Sequence, residues 1–432
     1  MSTIKTVVAV VVKKYWPLFQ FDVNNTFLYG DLDEEVFMRL PPGYSVTPLF
    51  SYGQLVCRLH KSLYGLRQAS RQWYAMLSQA LSSRGYHHSL NDYSLFTRVS
   101  RDSIVVLADY MDYIILTGTN SAEISSLKSF LDAQFKIKDL GSLSYFLGIE
   151  VLYSDSGVLL HQKKFGHYLL LEFHCSDIAS VVCPLPLNAK LKAKEDTHLP
   201  KPEVYRSLVG NLNFLTNTRP DITFVVQHLS QFMQSPCLPH LEAALHLLKY
   251  LQGTADFGIF FNNSPNLFVA AYCDSDWVAC PDTRKSVTRF CVLLGGSLVG
   301  WKSKKQLVVS ISSVEAEYRA MSKVVGKLTC LHRLLLDLGV SCPYVPLFCD
   351  SHAAIHIAKN PVFHERTKHI ELDCHLVRAK LVEGLIHLLH TSSSTQLTDI
   401  FTEDLVGAAH HDLLFKLGVF SPSNLKGGIG IT

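Results

Sequence analysis

Apolar positions along this chain recur in two rhythms. Short apolar runs bounded by turn residues, YWPLFQFDV at 15–23 and IVVLADYMDYIILT at 104–117, predict strands. Between them, RQWYAMLSQALSSRG at 71–85 sets Trp73, Met76, Leu77 and Leu81 at helical spacing. VLYSDSGVLLHQ at 151–162 predicts a hairpin with Ser-Asp-Ser-Gly as its turn, so the first half is α/β in character. NAKLKAKEDTHLPKP at 188–202 is polar, holds proline and can bury little surface, which marks a linker. Beyond it, YRSLVGNLNFLTNT and LEAALHLLKYLQGT predict two helices separated by RPDI. A second α/β unit opens near Leu267 with LFVAAYCDSDW, FCVLLGG and LVGWKS as strands, followed by a long helix from Ser312.

Composition sharpens this outline. A chain of 432 residues that is 48% hydrophobic exceeds one ordinary core and implies two or three domains. Its net charge of +3 does not by itself argue for a polyanionic partner, so any basic surface is local. Eleven cysteines without a C-x-x-C pair fit neither a disulfide framework nor a zinc knuckle, and imply buried free thiols in a reducing compartment. The opening TIKTVVAVVVKKYW imitates a signal-peptide core, but Lys13 and Lys14 follow it without a small-residue cleavage site. It predicts a helix leading into the next strand. No stretch approaches the ~20 apolar residues of a membrane span, so a soluble protein is expected.

Acids inside apolar runs are the candidate chemistry, because a carboxylate there is costly unless it is paired or metal-bound. Alternation along a strand turns Asp109 and Asp112 to opposite faces. Asp112 is then the functional candidate and Asp109 a solvent-facing edge residue. Asp22 closes a second apolar run. Two strands delivering one carboxylate each are the minimum for a pair of magnesium ions ~3.5–4 Å apart. Asp274 ends LFVAAYC, and Asp276, two on, is a neighbour able to ligate if the strand continues. In the long helix, Val314, Tyr318, Met321, Val325 and Leu328 form a stripe that includes Glu317 but not Glu315. Glu315 instead completes a capping box with Ser312. Asp350, after YVPLFC and before SHAAIHIAKN, suits a helix cap or a metal, and Asp399 in STQLTDIF suits a cap or a solvated acid equally well. His352 and His356 lie four apart without a third ligand, which favours a packed or surface role. HERTKHI at 364–370 is a basic loop that either approaches a nucleic-acid backbone or is solvated. KLKAKE and WKSKKQ suit a solvated linker and turn.

Taken in order, FDVNNTFLYGDLDEEVFMRLPPGY, VCRLHKSLYGLRQASRQWY, YMDYIILTG and FKIKDLGSLSYFLGIEV resemble the successive palm motifs of the reverse transcriptase in copia-type LTR retrotransposon Pol polyproteins. The likeness continues through YRSLVGNLNFLTNTRPDI, YCDSDWVACPDTRKS, SSVEAEYRA and NPVFHERTKHIELDCHLVR to KLGVFSPSNLKGGI, essentially the whole chain. It implies an α/β (α+β) fold: a reverse-transcriptase palm over 1–165 with incomplete fingers, a thumb or connection over 166–262, an RNase H-like domain with a mixed sheet over 263–410, and a tail over 411–432. By position, Asp22 and Asp112 resemble the metal-ligating polymerase acids and Phe27 the gate against a ribose 2′-OH. Gly65 and Gln68 fall where the family lines the nucleotide and template pocket, with Ser70 in place of its usual proline. YFLGIEV, with Leu147 and Gly148, is similar to the hairpin that grips the primer. Asp274, Glu317, Asp350 and Asp399 match the four RNase H acids, and Arg289 stands where the family has a small residue.

The implied cofactors are two Mg2+ per active site, with Mn2+ as an alternative. The implied partners are an RNA/DNA hybrid, an RNA template with a DNA primer, dNTPs for polymerisation, and a second chain supplying fingers. The implied location is a cytoplasmic particle or the nucleus. Two departures weaken the polymerase. Tyr113 stands where the second acid of the Y-x-D-D turn belongs, and a phenol is neutral at pH 7, so two ions would share two carboxylates. A lost ligand would cost roughly 4 kcal/mol of transition-state stabilisation, about a thousandfold in rate. Only 21 residues precede Asp22, which implies incomplete fingers. The expectation is an inactive polymerase beside a nuclease that cuts the RNA strand of hybrids. The alternative is a non-catalytic retrotransposon relic that at most binds nucleic acid or another protein.

Overall fold

The structure is a computed structural model that describes residues 1–44, 55–186, 191–193, 197–360, 370–401 and 407–426. Parts of the expected linker and most of the 364–370 loop lie outside the described residues. The chain forms two compact units, Trp16–Leu143, and Met1–Tyr15 with Ser144–Thr432. The segment expected as palm is therefore divided at Leu143, and its first helix clusters with the larger unit.

In the smaller unit, six antiparallel strands run in the order His87–His88, Leu95–Ser100, Ser103–Tyr110, Tyr113–Gly118, Leu18–Val23, Ile137–Ser142. The helix Ala69–Ser83 buries Ala69, Trp73, Leu77 and Leu81, a strict four-residue spacing that keeps one stripe turned to a core. That stripe packs with Phe21, Phe96, Leu107 and Leu116 and with Leu127 and Leu131 of the helix Ser121–Phe135. Asn120 caps that helix by accepting from the Glu123 amide at 3.0 Å.

The run at 104–117 is not one strand. It folds into a hairpin in which Tyr110 pairs with Tyr113, and Met111 at the turn has a left-handed φ of 57°. Both arms are apolar, and such a run has the same pattern whether it continues or reverses. Alternation therefore does not govern Asp109 and Asp112. Asp109 is also buried, not solvent-facing, and accepts a hydrogen bond from Trp73 Nε1 at 3.3 Å. Burial pushes its carboxyl up to about 7 against the smaller opposing effect of the Trp73 bond. A carboxyl raised on folding adds stability below its unfolded value of 3.8, and that stability is lost as pH rises through 7. Asp109→Asn is thus expected to stabilise the fold by a few kcal/mol at pH 8 and hardly at pH 4, as read by urea denaturation at both pH values.

In the larger unit, helices Pro202–Leu215, Thr223–Leu229 and Leu238–Thr254 bury Tyr205, Leu208, Leu212, Leu247, Leu248 and Leu251 in a helical core. Pro202 opens the first of these, where its missing N–H costs nothing. A five-stranded antiparallel sheet contains the expected hairpin, Ile149–Ser154 with Gly157–His161. The second sheet is mixed, in the order Ser297–Lys305, Val287–Leu294, Val269–Asp276, Val345–Cys349, Ile386–His390, with its last two neighbouring pairs parallel. The helix Ser313–Asp337 packs across this sheet. The first helix, Ser2–Lys14, packs on the strands Gly258–Asn262 and Ser297–Lys305. Lys5 lies 3.5 Å over the Trp301 ring, and Lys13 Nζ donates to Asn262 Oδ1 at 2.7 Å and to the Gly295 carbonyl at 2.9 Å. Among the described residues no helix is long and apolar enough to cross a membrane.

Candidate active sites

The first candidate lies in the smaller unit. Asp22 near the end of Leu18–Val23 is the cross-strand partner of Tyr113, and the Val23 amide donates to the Asp112 carbonyl at 2.8 Å, so the two acids sit on neighbouring chain segments. Tyr64 Oη donates to Asp112 Oδ1 at 2.8 Å, and its ring meets Phe27 edge-on at 4.6 Å. Burial, then the Asp112 bond and charge, with a further contribution from the Asp22 charge, raise the Tyr64 phenol above its ordinary value, which keeps it a donor. Phe27 is buried. Gly65 has φ of 93°, a conformation that suits glycine, and Gln68 Nε2 donates to Glu34 at 2.9 Å.

Leu147 and Gly148 lie in the larger unit as the two-residue loop between Tyr145–Phe146 and Ile149–Ser154. Both have positive φ, 48° and 79°, as a type I′ hairpin turn requires. A Cβ on Gly148 would stand 2.6 Å from Phe214 Cζ, so only glycine fits.

The second candidate is the mixed sheet of the larger unit. Asp274 near the end of Val269–Asp276 accepts from the Ser275 amide at 2.6 Å, and Glu317 accepts from the same amide at 3.0 Å. The helix stripe therefore turns Glu317 inward. Glu315 serves the helix start instead: Ser312 Oγ accepts the Glu315 amide, while the Glu315 carboxylate reaches the Ile311 amide, one residue beyond the usual box. Asp350 follows Val345–Cys349, the strand parallel to Val269–Asp276, and a ligand atom from each of Glu317, Cys349 and Asp350 lies within 4.8 Å of the others. Burial and then the Asp274 charge push Glu317 up to about 11, and the same two causes in the same order raise Asp350. A cation binding among them must therefore displace a proton.

Asp399, in the 3-10 turn Leu397–Phe401, meets this cluster through Arg289, whose Nη1 is 3.4 Å from Asp399 Oδ1 and whose Nε is 3.1 Å from Asp274 Oδ2. Asp276 is half-buried at the strand end. His352 stacks on His390 with centroids 3.6 Å apart, and both are exposed, a surface role.

The reverse transcriptase (RNA-dependent DNA polymerase) family model matches residues 1–187. Two retrovirus-related Pol polyproteins of Arabidopsis thaliana, from transposons RE2 and RE1, are 37% and 38% identical over 99% and 97% of this chain. The chain belongs to the copia-type LTR retrotransposon Pol polyproteins. It spans less than a third of those two relatives, 29% and 28% of their lengths. A foamy viral protease-reverse transcriptase in complex with double-stranded DNA has a TM-score of 0.48 at 10% identity, covering 87% of this chain and 57% of that one.

Within this Pol region the two sites differ in their fitness for a divalent ion. Asp274, Glu317 and Asp350 are hard oxygen donors converging from two strand ends and a helix, a set suited to Mg2+ or Mn2+. The smaller unit offers Asp22 and Asp112, with Tyr64 already bonded to one of them. Sequence reasoning missed two participants. Tyr64 lies in an unremarkable SLYG, and only tertiary contact brings it to Asp112. Cys349 immediately precedes Asp350, and its Sγ donates to Glu317 Oε2 at 4.0 Å. No local signal marks it, because Glu317 lies on the helix Ser313–Asp337 and only packing brings the two together.

Proposed function

We propose that this Pol region cuts the RNA strand of RNA/DNA hybrids at the Asp274 cluster, and that its Asp22–Asp112 site does not extend primers. The observation that carries the nuclease reading is the meeting of Asp274 and Glu317 on one backbone amide, with Asp350 beside them. When bound, Mg2+ or Mn2+ supplies Lewis acidity toward the scissile phosphodiester. Asp274, Glu317 and Asp350 would hold it. Ser275 orients the first two carboxylates, and Gln306 braces that strand end by donating to Ser275 Oγ at 3.3 Å, Thr288 Oγ1 at 3.1 Å and the Ala316 carbonyl at 3.0 Å. Pre-set ligands of this kind need little reorganisation during reaction. Hybrid recognition would rest on duplex shape and 2′-OH contacts.

The polymerase reading weakens on the same grounds. Asp22 faces Tyr113 across the strands in place of a third acid, and Asp112 already accepts a phenol. The test is the whole chain with Mg2+ on a labelled RNA/DNA hybrid and on a primed template. The expected result is a cleaved RNA strand and no lengthened primer. Absence of both cleavage and hybrid binding would favour the non-catalytic relic, and robust extension would refute the polymerase half.

A further inference from the structure

We infer that the Arg289 guanidinium takes the place of one divalent cation in the nuclease cluster, so that this site binds a single metal ion where its four carboxylates alone would hold two. The inference rests on reading the cluster as a metal site.

Arg289 is the direct cross-strand partner of Asp274, and its side chain is almost fully buried. A guanidinium cannot shed its proton, so a full positive charge is built into the cluster. Such a charge is tolerated in a dry interior only beside opposite charge. Arg289 meets that need by standing between two acids from different parts of the chain, Asp274 at 3.1 Å and Asp399 at 3.4 Å.

The geometry is not that of a forked arginine–carboxylate pair, which is shorter and uses two parallel hydrogen bonds to one acid. Nε is near Asp274 Oδ2 yet has no aligned hydrogen bond. One planar cation bridges two carboxylates, the arrangement a metal ion would otherwise make. Asp399 is positioned for it by the 3-10 turn Leu397–Phe401, which packs on both strands that carry Asp274 and Arg289. Asp274 meets Arg289 through Oδ2 and turns Oδ1 to the Ser275 amide that Glu317 shares, while ligand atoms of Glu317 and Asp350 lie within 4.8 Å of each other, so these oxygen donors are retained. One guanidinium and one divalent ion together bring three positive charges to four carboxylates, which leaves little electrostatic gain for a second metal.

The experiment counts Mn2+ on the metal-stripped full chain by calorimetry and by the loss of the free-ion paramagnetic signal. Asp22→Asn/Asp112→Asn serves as the common background, so that only the nuclease cluster is counted. The expected result is one Mn2+ for Arg289, one for Arg289→Lys, which keeps the charge, and two for Arg289→Ala, which removes both charge and bulk. Circular dichroism verifies that each variant folds. Arg289→Met supplies a second, bulk-retaining probe in case the alanine variant does not fold; it is expected to bind a second ion at least tenfold more tightly than the Arg289 chain. Two ions on the Arg289 chain, or still one on both folded neutral variants, would overturn the inference. No ion on any of them would instead overturn the metal-site reading beneath it.

Discussion

Asp274→Asn is expected to lower hybrid cleavage at least about a thousandfold, a loss of roughly 4 kcal/mol in transition-state stabilisation. Asp274 is the hub of the cluster: it shares the Ser275 amide with Glu317, acts electrostatically on Glu317 and Asp350, and pairs with Arg289. Asparagine preserves its volume and the Ser275 contact but removes the charge that a metal and Arg289 both require. Single-turnover cleavage separates chemistry from binding, and hybrid affinity should change far less than rate. Asp412→Asn, an exposed acid paired with Lys416 in the helix Gly407–Lys416, is the control and should retain most activity. An Asp274→Asn chain that cleaves at the unmodified rate would place the chemistry elsewhere.

The largest expected effect on stability lies in RPDI, whose turn packs on the Leu397–Phe401 turn. Arg219 and Asp221 are both almost fully buried. Arg219 Nη2 donates to Asp221 Oδ2 at 2.6 Å and to Thr254 Oγ1 at 2.8 Å, and Nη1 donates to the Thr254 carbonyl at 2.6 Å. Tyr250 Oη donates to Asp221 Oδ2 at 2.7 Å and lies 3.0 Å from His410 Nε2. The network ties the turn Pro220–Ile222 to the helices Leu238–Thr254 and Gly407–Lys416. Burial opposes ionisation of Asp221, but the charge and hydrogen bonds of Arg219 outweigh it and hold the carboxyl below its ordinary value. Its stabilisation is therefore present above pH 4 and lost as pH falls.

Asp221→Ala leaves Arg219 charged and unpaired in the interior, and should cost about 3–5 kcal/mol in equilibrium denaturation at pH 7. Arg219→Met with Asp221→Leu should recover much of that, because the penalty belongs to the orphaned charge more than to the lost attraction. A midpoint unchanged by Asp221→Ala would show that the pair is not buried in solution.

Much of this was legible along the chain. Helical spacing identified the face of the helix Ala69–Ser83 and turned Glu317 inward, while the capping pattern with Ser312 assigned Glu315, which is equally buried, to the helix start. The hairpin at 151–162 followed from its turn residues. The errors arose where local pattern is degenerate: the run at 104–117 could continue or reverse, and Asp109 could be read from alternation only if it continued.

The sequence by itself determined the succession of elements, their buried stripes and the acids each carries, because backbone periodicity maps residue order onto faces within a single helix or strand. Only the tertiary structure decided that Tyr64 bonds Asp112, that Trp73 meets Asp109, and that Arg289 lies between Asp274 and Asp399. Those contacts join residues from 36 to 110 positions apart, except the cross-strand pair Asp274–Arg289. They depend on which elements pack together, and nothing in the local pattern of either partner encodes that choice.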